Sequence, residues 1–455
     1  MKRRAFLAAS ALFSLLAPSA VLAARKKKTD APARSSSSAK SSERSGARST
    51  SKGSARSRAG ARAETERGER SSRREGRHES RRERKKNALR RERAAVAERQ
   101  VVERPAPPAS PPPATDSRPT FNFSEELASN WRTYELVSSV AINEVRGKLR
   151  VWVPLAQFRD TTWQRSLGHA WQGNFNNAGI YRDPLSDLEI FYADWQEAGA
   201  GKPYLQIVSQ VARQDRHFDI TRRGGGGERN EVLRRCLQST AWLPTDGLVK
   251  QTAERAIGRI KDPVAQGKAI YDWVVDNTSY DPQMAGIGRG DIEAMLDSHR
   301  LSGKSADIAL LFVALCRSMG IPARPVFGLR VDSSRLFGGL GATGNLQSSQ
   351  HCRAEFYNPS YGWIPVDPCD VRKSIHDERL TSGDAKLVVL RKLLFGFWEM
   401  NWIAFNAALD VRLQGGNDRP LPFLILPQAE TGGSRFDSSD AGRLTYTVSA
   451  SRSMF

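Results

Sequence analysis

Residues 301–330, LSGKSADIALLFVALCRSMGIPARPVFGLR, constrain the fold more than any other stretch of this 455-residue chain. Apolar side chains recur there at the three- and four-residue spacing of a buried helical face: Ile308, Leu311, Phe312, Leu315 and Met319. Gly320 and then Pro322 supply a stop signal for that helix. The spacing therefore predicts an amphipathic helix, and Ser305 falls on its first turn.

Ser305 has two interpretations at this place. Unpaired backbone N–H groups and the positive end of the helix dipole favour a developing anion at a helix start, which suits a nucleophile. The same place suits an ordinary capping serine, which is the simpler interpretation of the helix alone. The segment that begins at His351 is what favours the nucleophile.

The segment HCRAEFYNPSYGWIPVDP alternates like two strands joined by a turn. The alternation places His351, Arg353 and other odd-numbered residues on one face of the first strand. The turn residues that follow predict a hairpin, and a reversal about Pro359 places His351 opposite Asp367 on the same face. A slip of one residue would separate the two side chains, so the register is a hypothesis.

Taken together, Ser305, His351 and Asp367 offer a nucleophile position, an imidazole base and a carboxylate that can hold its tautomer. The two segments resemble the bacterial transglutaminase-like superfamily, whose papain-like core carries Cys, His and Asp in the same helix, strand, strand order. Further upstream, the Asp-Pro at Asp262, the helix YDWVVDN, the Tyr-Asp at Tyr280 and the segment GIGRGD also resemble the family.

The resemblance runs from about Trp131 to the end of the chain and implies an α+β fold, with helices packed on an antiparallel sheet. Carried over by position, it places Ser305 at the nucleophile, His351 at the base and Asp367 at the orienting acid. The departure is that the family has Cys where this chain has Ser305. A thiol has a reference pKa of about 8.5 and ionises readily, whereas a hydroxyl needs a general base to remove its proton.

Two functions follow from this substitution. In the first, the protein is an amide or peptide hydrolase, or an acyl transferase, that uses Ser305, His351 and Asp367. In the second, it is a catalytically inactive transglutaminase-like protein that binds peptides or envelope components through the retained cleft. A protein or peptide partner is expected in both cases.

Residues 1–24 have the pattern of an export signal. Lys2, Arg3 and Arg4 precede an apolar run to Ala23 that ends in small residues suited to cleavage. The sequence RRAFL resembles the twin-arginine export motif, although a general secretory signal would have a similar basic start. An uncleaved anchor is the alternative, and Pro18 argues against it. We therefore expect an exported protein, periplasmic or associated with the cell envelope, without a transmembrane segment in the mature chain.

Residues 25–118 form a Ser, Arg and Pro-rich segment that carries 28 Lys and Arg against 12 Asp and Glu. This composition cannot bury a core, so we expect a disordered tail and linker that holds +16 of the chain's formal charge of +21. Residues 25–104 could contact anionic envelope polymers or act only as a solvated spacer. The segment has no interleaved aromatic residues for stacking on bases, which disfavours specific nucleic-acid binding.

The remaining chain divides by pattern into a β-rich domain over residues 119–235 and a transglutaminase-like domain with a C-terminal extension over residues 236–455. The first contains four strand-like runs, TYELVSSVAI, KLRVWVPLA, DLEIFYADW and YLQIVSQVAR. An apolar stretch near the end of the second, residues 387–405, is interrupted by charges and predicts core rather than membrane.

The four cysteines, Cys236, Cys316, Cys352 and Cys369, permit disulfides in an exported protein without requiring them. The sequence has no zinc-ligand spacing, phosphate loop or dinucleotide fingerprint, so we expect no cofactor and no metal site. Isolated histidines elsewhere are expected on the surface or as satisfied core residues: His169, His299 and His376.

Overall fold

Three larger antiparallel β sheets and seven α-helices make up the part of the chain that the structure, a computed structural model, describes: residues 131–197, 201–224 and 227–453. The helices are α1 (Asn230–Arg235), α2 (Gly247–Ile257), α3 (Pro263–Asn277), α4 (Ile292–Asp297), α5 (Ser305–Ser318), α6 (Pro368–Glu378) and α7 (Ala385–Leu393).

The strands, in chain order, are β1 (Arg132–Ile142), β2 (Leu149–Pro154), β3 (Gln164–Gly173), β4 (Asn177–Asp183), β5 (Leu188–Trp195), β6 (Tyr204–Arg213), β7 (Arg216–His217), β8 (Ser279–Tyr280), β9 (Ser302–Gly303), β10 (Ala323–Arg330), β11 (Gln350–Asn358), β12 (Gly362–Val366), β13 (Phe397–Trp398), β14 (Trp402–Asn406), β15 (Gln428–Thr431), β16 (Ser434–Asp437) and β17 (Leu444–Ser453). The predicted α+β class is confirmed, and the four predicted strand-like runs form β1, β2, β5 and β6.

Helix α5 lies at the centre of the helical layer and begins at Ser305, as predicted. The prediction of an amphipathic helix is wrong, because every residue from Ser305 to Arg317 is buried. Strands β10 and β11 pack on one side of α5, and helices α2, α3, α4 and α6 surround its other sides. A helix enclosed in this way has no solvent-facing stripe, so its small residues, such as Ala306 and Ala309, serve close packing.

The central sheet has the strand order β12, β11, β10, β14 and supports α5. The β11–β12 hairpin exists, but its predicted register is wrong by two residues. Asn358 pairs with Gly362, so the turn is centred on Ser360 and not on Pro359. A shift of two residues preserves the face of every side chain, since strand side chains alternate with a period of two. His351 and Asp367 therefore share a face without being directly opposite.

The other two sheets combine strands from both ends of the described chain. One has the order β17, β1, β6, β3, and the other has the order β16, β15, β2, β5, β4. A shared apolar core lies between them and includes Tyr134, Phe191 and Tyr446. The sheets therefore cross the predicted boundary at residues 235 and 236, because the C-terminal strands β15, β16 and β17 complete the sheets of the N-terminal part.

The apolar stretch 387–405 contributes to α7, β13 and β14, and its Trp398 and Trp402 are buried. Among the described residues, no helix has the length and apolar character needed to cross a membrane. The predicted export signal (1–24) and basic tail and linker (25–118) lie outside the described residues.

Candidate active site

The start of helix α5 is held by the carboxylate of Asp307, two residues after Ser305. Asp307 accepts backbone hydrogen bonds from Lys304 N at 3.0 Å, Arg289 N at 2.9 Å and Gly290 N at 2.8 Å. These bonds satisfy a helix-start N–H and tie the GIGRGD segment to the first turn. The position of Ser305 is therefore set by a carboxylate that binds three backbone N–H groups.

Two glycines give Asp307 the space it occupies. A Cβ atom at Gly288 would lie 1.9 Å from Asp307 Oδ2, and one at Gly303 would lie 2.6 Å from the same oxygen. Gly303 belongs to β9, which pairs with β8 and brings Tyr280 beside the helix start. Both glycines are therefore required by close approach to a buried side chain.

His351 and Asp367 form a buried dyad at the edge of the central sheet. His351 Nε2 lies 2.8 Å from Asp367 Oδ2, and the two residues are 3% and 0% exposed. Asp367 follows β12 and caps helix α6, because its Oδ1 accepts the Asp370 backbone N–H at 2.9 Å. Arg353 Nε also donates to Asp367 Oδ2 at 3.2 Å. The carboxylate is thus fixed from three sides and orients the imidazole.

Ser305 lies at the same cavity as His351, but the two are not hydrogen-bonded. Ser305 Oγ accepts a hydrogen bond from the Cys352 backbone N–H at 3.1 Å, and no bond joins it to His351 within the described residues. Both side chains line a cavity of about 280 Å³, together with Gln350 and Lys373. The structure therefore brings the three residues predicted from sequence into one site, with the dyad joined and the serine bonded to the neighbouring strand.

The electrostatics of the site favour a neutral imidazole. Burial lowers the pKa of His351, and the positive charge of Arg330 lowers it further, while Asp370 and Asp367 act in the opposite direction. Burial by itself raises the pKa of Asp370, but the positive charges of Arg330, 2.5 Å away, His351 and Arg353 together outweigh it and hold that pKa well below its ordinary value. His351 is therefore available as a base near neutral pH.

The two cysteines closest to the dyad are poor substitute nucleophiles. All four cysteines are buried and free. Burial, followed by the charge of Asp367, raises the pKa of both Cys352 and Cys369 well above the ordinary thiol value. A thiol that stays protonated at neutral pH is a weak nucleophile, so Ser305 remains the candidate at this site.

The acceptor atoms of His351, Asp367 and Asp370 lie within 4.8 Å of one another, a spacing that a metal ion could span. Two guanidinium groups already neutralise the carboxylates: Arg330 pairs with Asp370, and Arg353 pairs with Asp367. A cation would have to compete with both, so the donor set fits an ion-paired network better than a metal centre. The sequence-based expectation of no metal site stays a prediction.

Sequence reasoning missed four charged residues that hold this site: Asp307, Asp370, Arg330 and Arg353. Asp307 carried a usable signal, because an acidic residue in the first turn of a buried helix needs donors and the Gly-rich GIGRGD segment offers backbone N–H groups. Asp370 followed Asp367 by three residues at a helix start. Arg353 had a local signal in the strand alternation, which places it on the face of His351, whereas Arg330 had none.

These features define a class of protein: an α+β protein with a papain-like core, in which a helix start and a strand His meet at one cavity and an Asp holds the His. Residues 250–368 match the family model described as Transglutaminase-like superfamily. The chain belongs to the transglutaminase-like superfamily. It is also 31% identical over 354 residues to an uncharacterized protein of Haemophilus influenzae, covering 73% of this chain and 93% of that protein.

The chain is also similar to solved structures of a candidate cysteine protease from Cytophaga hutchinsonii and of the periplasmic domain of TgpA from Pseudomonas aeruginosa. The first has 15% sequence identity and a TM-score of 0.47, and the match covers 72% of this chain and 92% of that one. The second has 16% identity and a TM-score of 0.28, and the match covers 56% and 93%.

Proposed function

We propose that this protein is a transglutaminase-like protein of the cell envelope that binds a peptide or carboxamide in the cleft of Ser305 and His351 with little or no turnover. The observation that carries this proposal is that Ser305 Oγ accepts a hydrogen bond from the Cys352 N–H and makes none to His351 in the described part of the chain. A serine nucleophile has to pass its proton to the base, so this site lacks the contact through which that proton would move.

The retained polar groups support binding. Gln350 Nε2 lines the cavity, is buried and has no hydrogen-bond partner in the described part of the chain. The free energy cost of a buried unpaired donor is about 1 to 3 kcal/mol, and a ligand carbonyl could recover it. The neutral imidazole of His351 offers a further polar contact at the same cavity. A peptide carbonyl or a side-chain amide matches these groups.

The second candidate is an amide hydrolase or acyl transferase that uses the same residues. It is favoured by a neutral, buried base and by the helix start, where the Ser305 N–H has no partner among the described residues and could stabilise an oxyanion. Because the pKa of His351 is lowered, such an activity would persist below the ordinary imidazole pKa of about 6.5 and be lost at more acidic pH as the base becomes protonated.

Location in the envelope is supported by the sequence of residues 1–24 and by the basic segment after it. In that location, the basic residues 25–104 could add non-specific attraction to anionic polymers.

The test compares the mature native chain with Ser305→Cys and His351→Ala on a panel of peptides, including glutamine-containing ones. Peptide binding is measured by calorimetry, and hydrolysis or ammonia release is measured in parallel. We expect native binding without turnover above that of His351→Ala, and measurable turnover in Ser305→Cys. Native turnover that His351→Ala abolishes would establish the second candidate. Absence of peptide binding by all three proteins would contradict both.

A further inference from the structure

A second cavity, distinct from the cleft of Ser305, lies near the turn of the β11–β12 hairpin. Its volume is about 570 Å³, within the range of roughly 300 to 1,000 Å³ for small-molecule sites. Glu355 lines it from the same face of β11 that carries His351, four residues along the strand and so roughly 13 Å away. We call it the polar cavity.

Six of the charged side chains that line the polar cavity form a chain of alternating sign, in which neighbours are 2.5 to 3.5 Å apart: Glu228, Arg159, Asp187, Arg324, Glu355 and Arg216. Their formal charges cancel, and a further lining carboxylate, Asp215, is neutralised by Arg335 at 2.5 Å. The inner members are buried, and Arg159 is the most exposed of the six, with 31% of its side chain accessible. Charges paired in this way balance one another and leave no net charge for an ionic ligand to neutralise.

Two buried polar atoms at the cavity wall lack the hydrogen bonds that their burial requires. Gln157 is 4% exposed, and its Nε2 has no partner among the described residues. Asp187 Oδ1 accepts no aligned hydrogen bond, although Arg159 Nε is 2.8 Å away. Buried polar atoms in native proteins are nearly always satisfied, so an unpaired donor and a poorly paired acceptor beside a cavity point to a bound molecule that has both.

Three aromatic side chains form part of the remaining wall. Trp163, Tyr361 and Trp363 line the cavity, and Trp363 Nε1 donates to Glu228 Oε2 at 3.1 Å. Arg324 stacks over the Trp363 ring with its guanidinium carbon 4.2 Å from the ring centroid. Aromatic rings beside planar polar side chains provide both apolar contact area and directed hydrogen bonds.

We propose that the polar cavity is a binding site for a neutral saccharide of one or two sugar units. A hydroxyl group both donates and accepts, so one sugar can accept from Gln157 Nε2 and donate to Asp187 without breaking an ion pair. The C–H faces of the ring pack against the aromatic walls.

Ligands of other classes fit less well. A net charge buried here would have no free counter-charge, which is costly in a poorly hydrated site. A zwitterion would have to displace existing ion pairs to reach their carboxylates and guanidinium groups. The site is independent of the proposed function of the cleft, since it shares none of the three residues Ser305, His351 and Asp367.

The test is calorimetric titration of the full chain with N,N′-diacetylchitobiose, cellobiose and maltose, with glycylglycine as the zwitterionic probe. Insoluble chitin, added in a pull-down, distinguishes a free sugar end from the same unit within a polymer. We expect at least one disaccharide to bind with a Kd of about 1 mM or tighter. Gln157→Met should weaken that binding at least tenfold without lowering the Tm, because Gln157 Nε2 makes no hydrogen bond within the described chain.

The matched control is Gln350→Met, which removes an unpaired buried amide nitrogen in the cleft of Ser305. It should leave disaccharide binding unchanged. The saccharide proposal would be overturned if none of the three disaccharides bound at a concentration 10-fold above the expected Kd. Preferential binding of glycylglycine would also overturn it. Disaccharide binding that is equally strong in Gln157→Met would also overturn it, because the sugar would then occupy another surface.

Discussion

Ser305 is the residue on which chemistry at this site depends. Its place at a helix start, beside a buried imidazole, is the place of a nucleophile, yet its oxygen is bonded to a backbone N–H of β11. The same N–H and the helix start would stabilise a thiolate at this position, because a thiolate accepts hydrogen bonds and benefits from the positive end of the dipole. A hydroxyl that stays protonated carries no charge, so the N–H group and the helix dipole stabilise it much less.

Ser305→Cys is therefore expected to restore a reactive thiol. Iodoacetamide should alkylate the introduced cysteine faster than the native four, all of which are buried. Adding His351→Ala should slow the alkylation, because the thiol loses the base that takes its proton. The measurement is the alkylation rate by mass spectrometry across pH, with the native chain as the background control. A rate equal to that of a free thiol peptide, unaffected by His351→Ala, would show that the site is not assembled.

At the scale of the element, helix α5 depends on contacts from outside itself. Its first turn is organised by Asp307, whose carboxylate accepts three backbone N–H groups, two of them from the segment before α4. That carboxylate is buried, and burial raises its pKa although the three hydrogen bonds act in the opposite direction. A helix start built in this way fails if the neighbouring backbone is pushed away.

Gly288→Ala tests this dependence. The backbone at Gly288 has φ 110°, and an added Cβ would lie 1.9 Å from Asp307 Oδ2, so we expect a loss of about 3 kcal/mol or more in the free energy of unfolding. Gly286→Ala is the matched control, since its φ is 55° and nothing lies within 4 Å of the added atom. It should cost only about 1 to 2 kcal/mol of left-handed strain. Urea denaturation measures the free energy of unfolding of both variants. Equal losses would contradict a role for the contact between position 288 and Asp307.

On the scale of the whole molecule, the C-terminal strands of the described chain complete the two larger sheets other than the central one, here called the outer sheets. Strand β17 pairs with β1 over ten residues, and β15 pairs with β2. The buried residues Leu444, Tyr446 and Val448 on β17 complete the core between the two outer sheets. The N-terminal strands therefore lack part of their core until the end of the chain is in place.

A chain shortened to end at Gly442 should consequently fail to fold cooperatively. Burial of three large apolar side chains contributes about 5 kcal/mol or more, which is comparable to the whole stability of an ordinary domain. A chain ending at Ala450 keeps all three and serves as the control. Urea unfolding followed by tryptophan fluorescence compares the two. If the chain ending at Gly442 unfolds with the same midpoint as the control, the outer sheets do not depend on β17.

The sequence alone predicted the local elements and the identity of the site residues. Helix α5 was indicated by apolar spacing and by Gly320 and Pro322, and the shared face of His351 and Asp367 by alternation, because these signals act over a few neighbouring residues. Family resemblance supported the roles that these patterns suggested for Ser305, His351 and Asp367.

Only the tertiary structure decided the rest. The turn centred on Ser360, the enclosure of α5, the anchoring of Asp307 by a distant glycine segment and the pairing of β17 with β1 all depend on packing between segments that no local pattern links. The bond from Cys352 N–H to Ser305 Oγ belongs to this group. Side-chain patterns record which face of an element is buried, whereas its partner and the register between them are selected by the packing of the whole core.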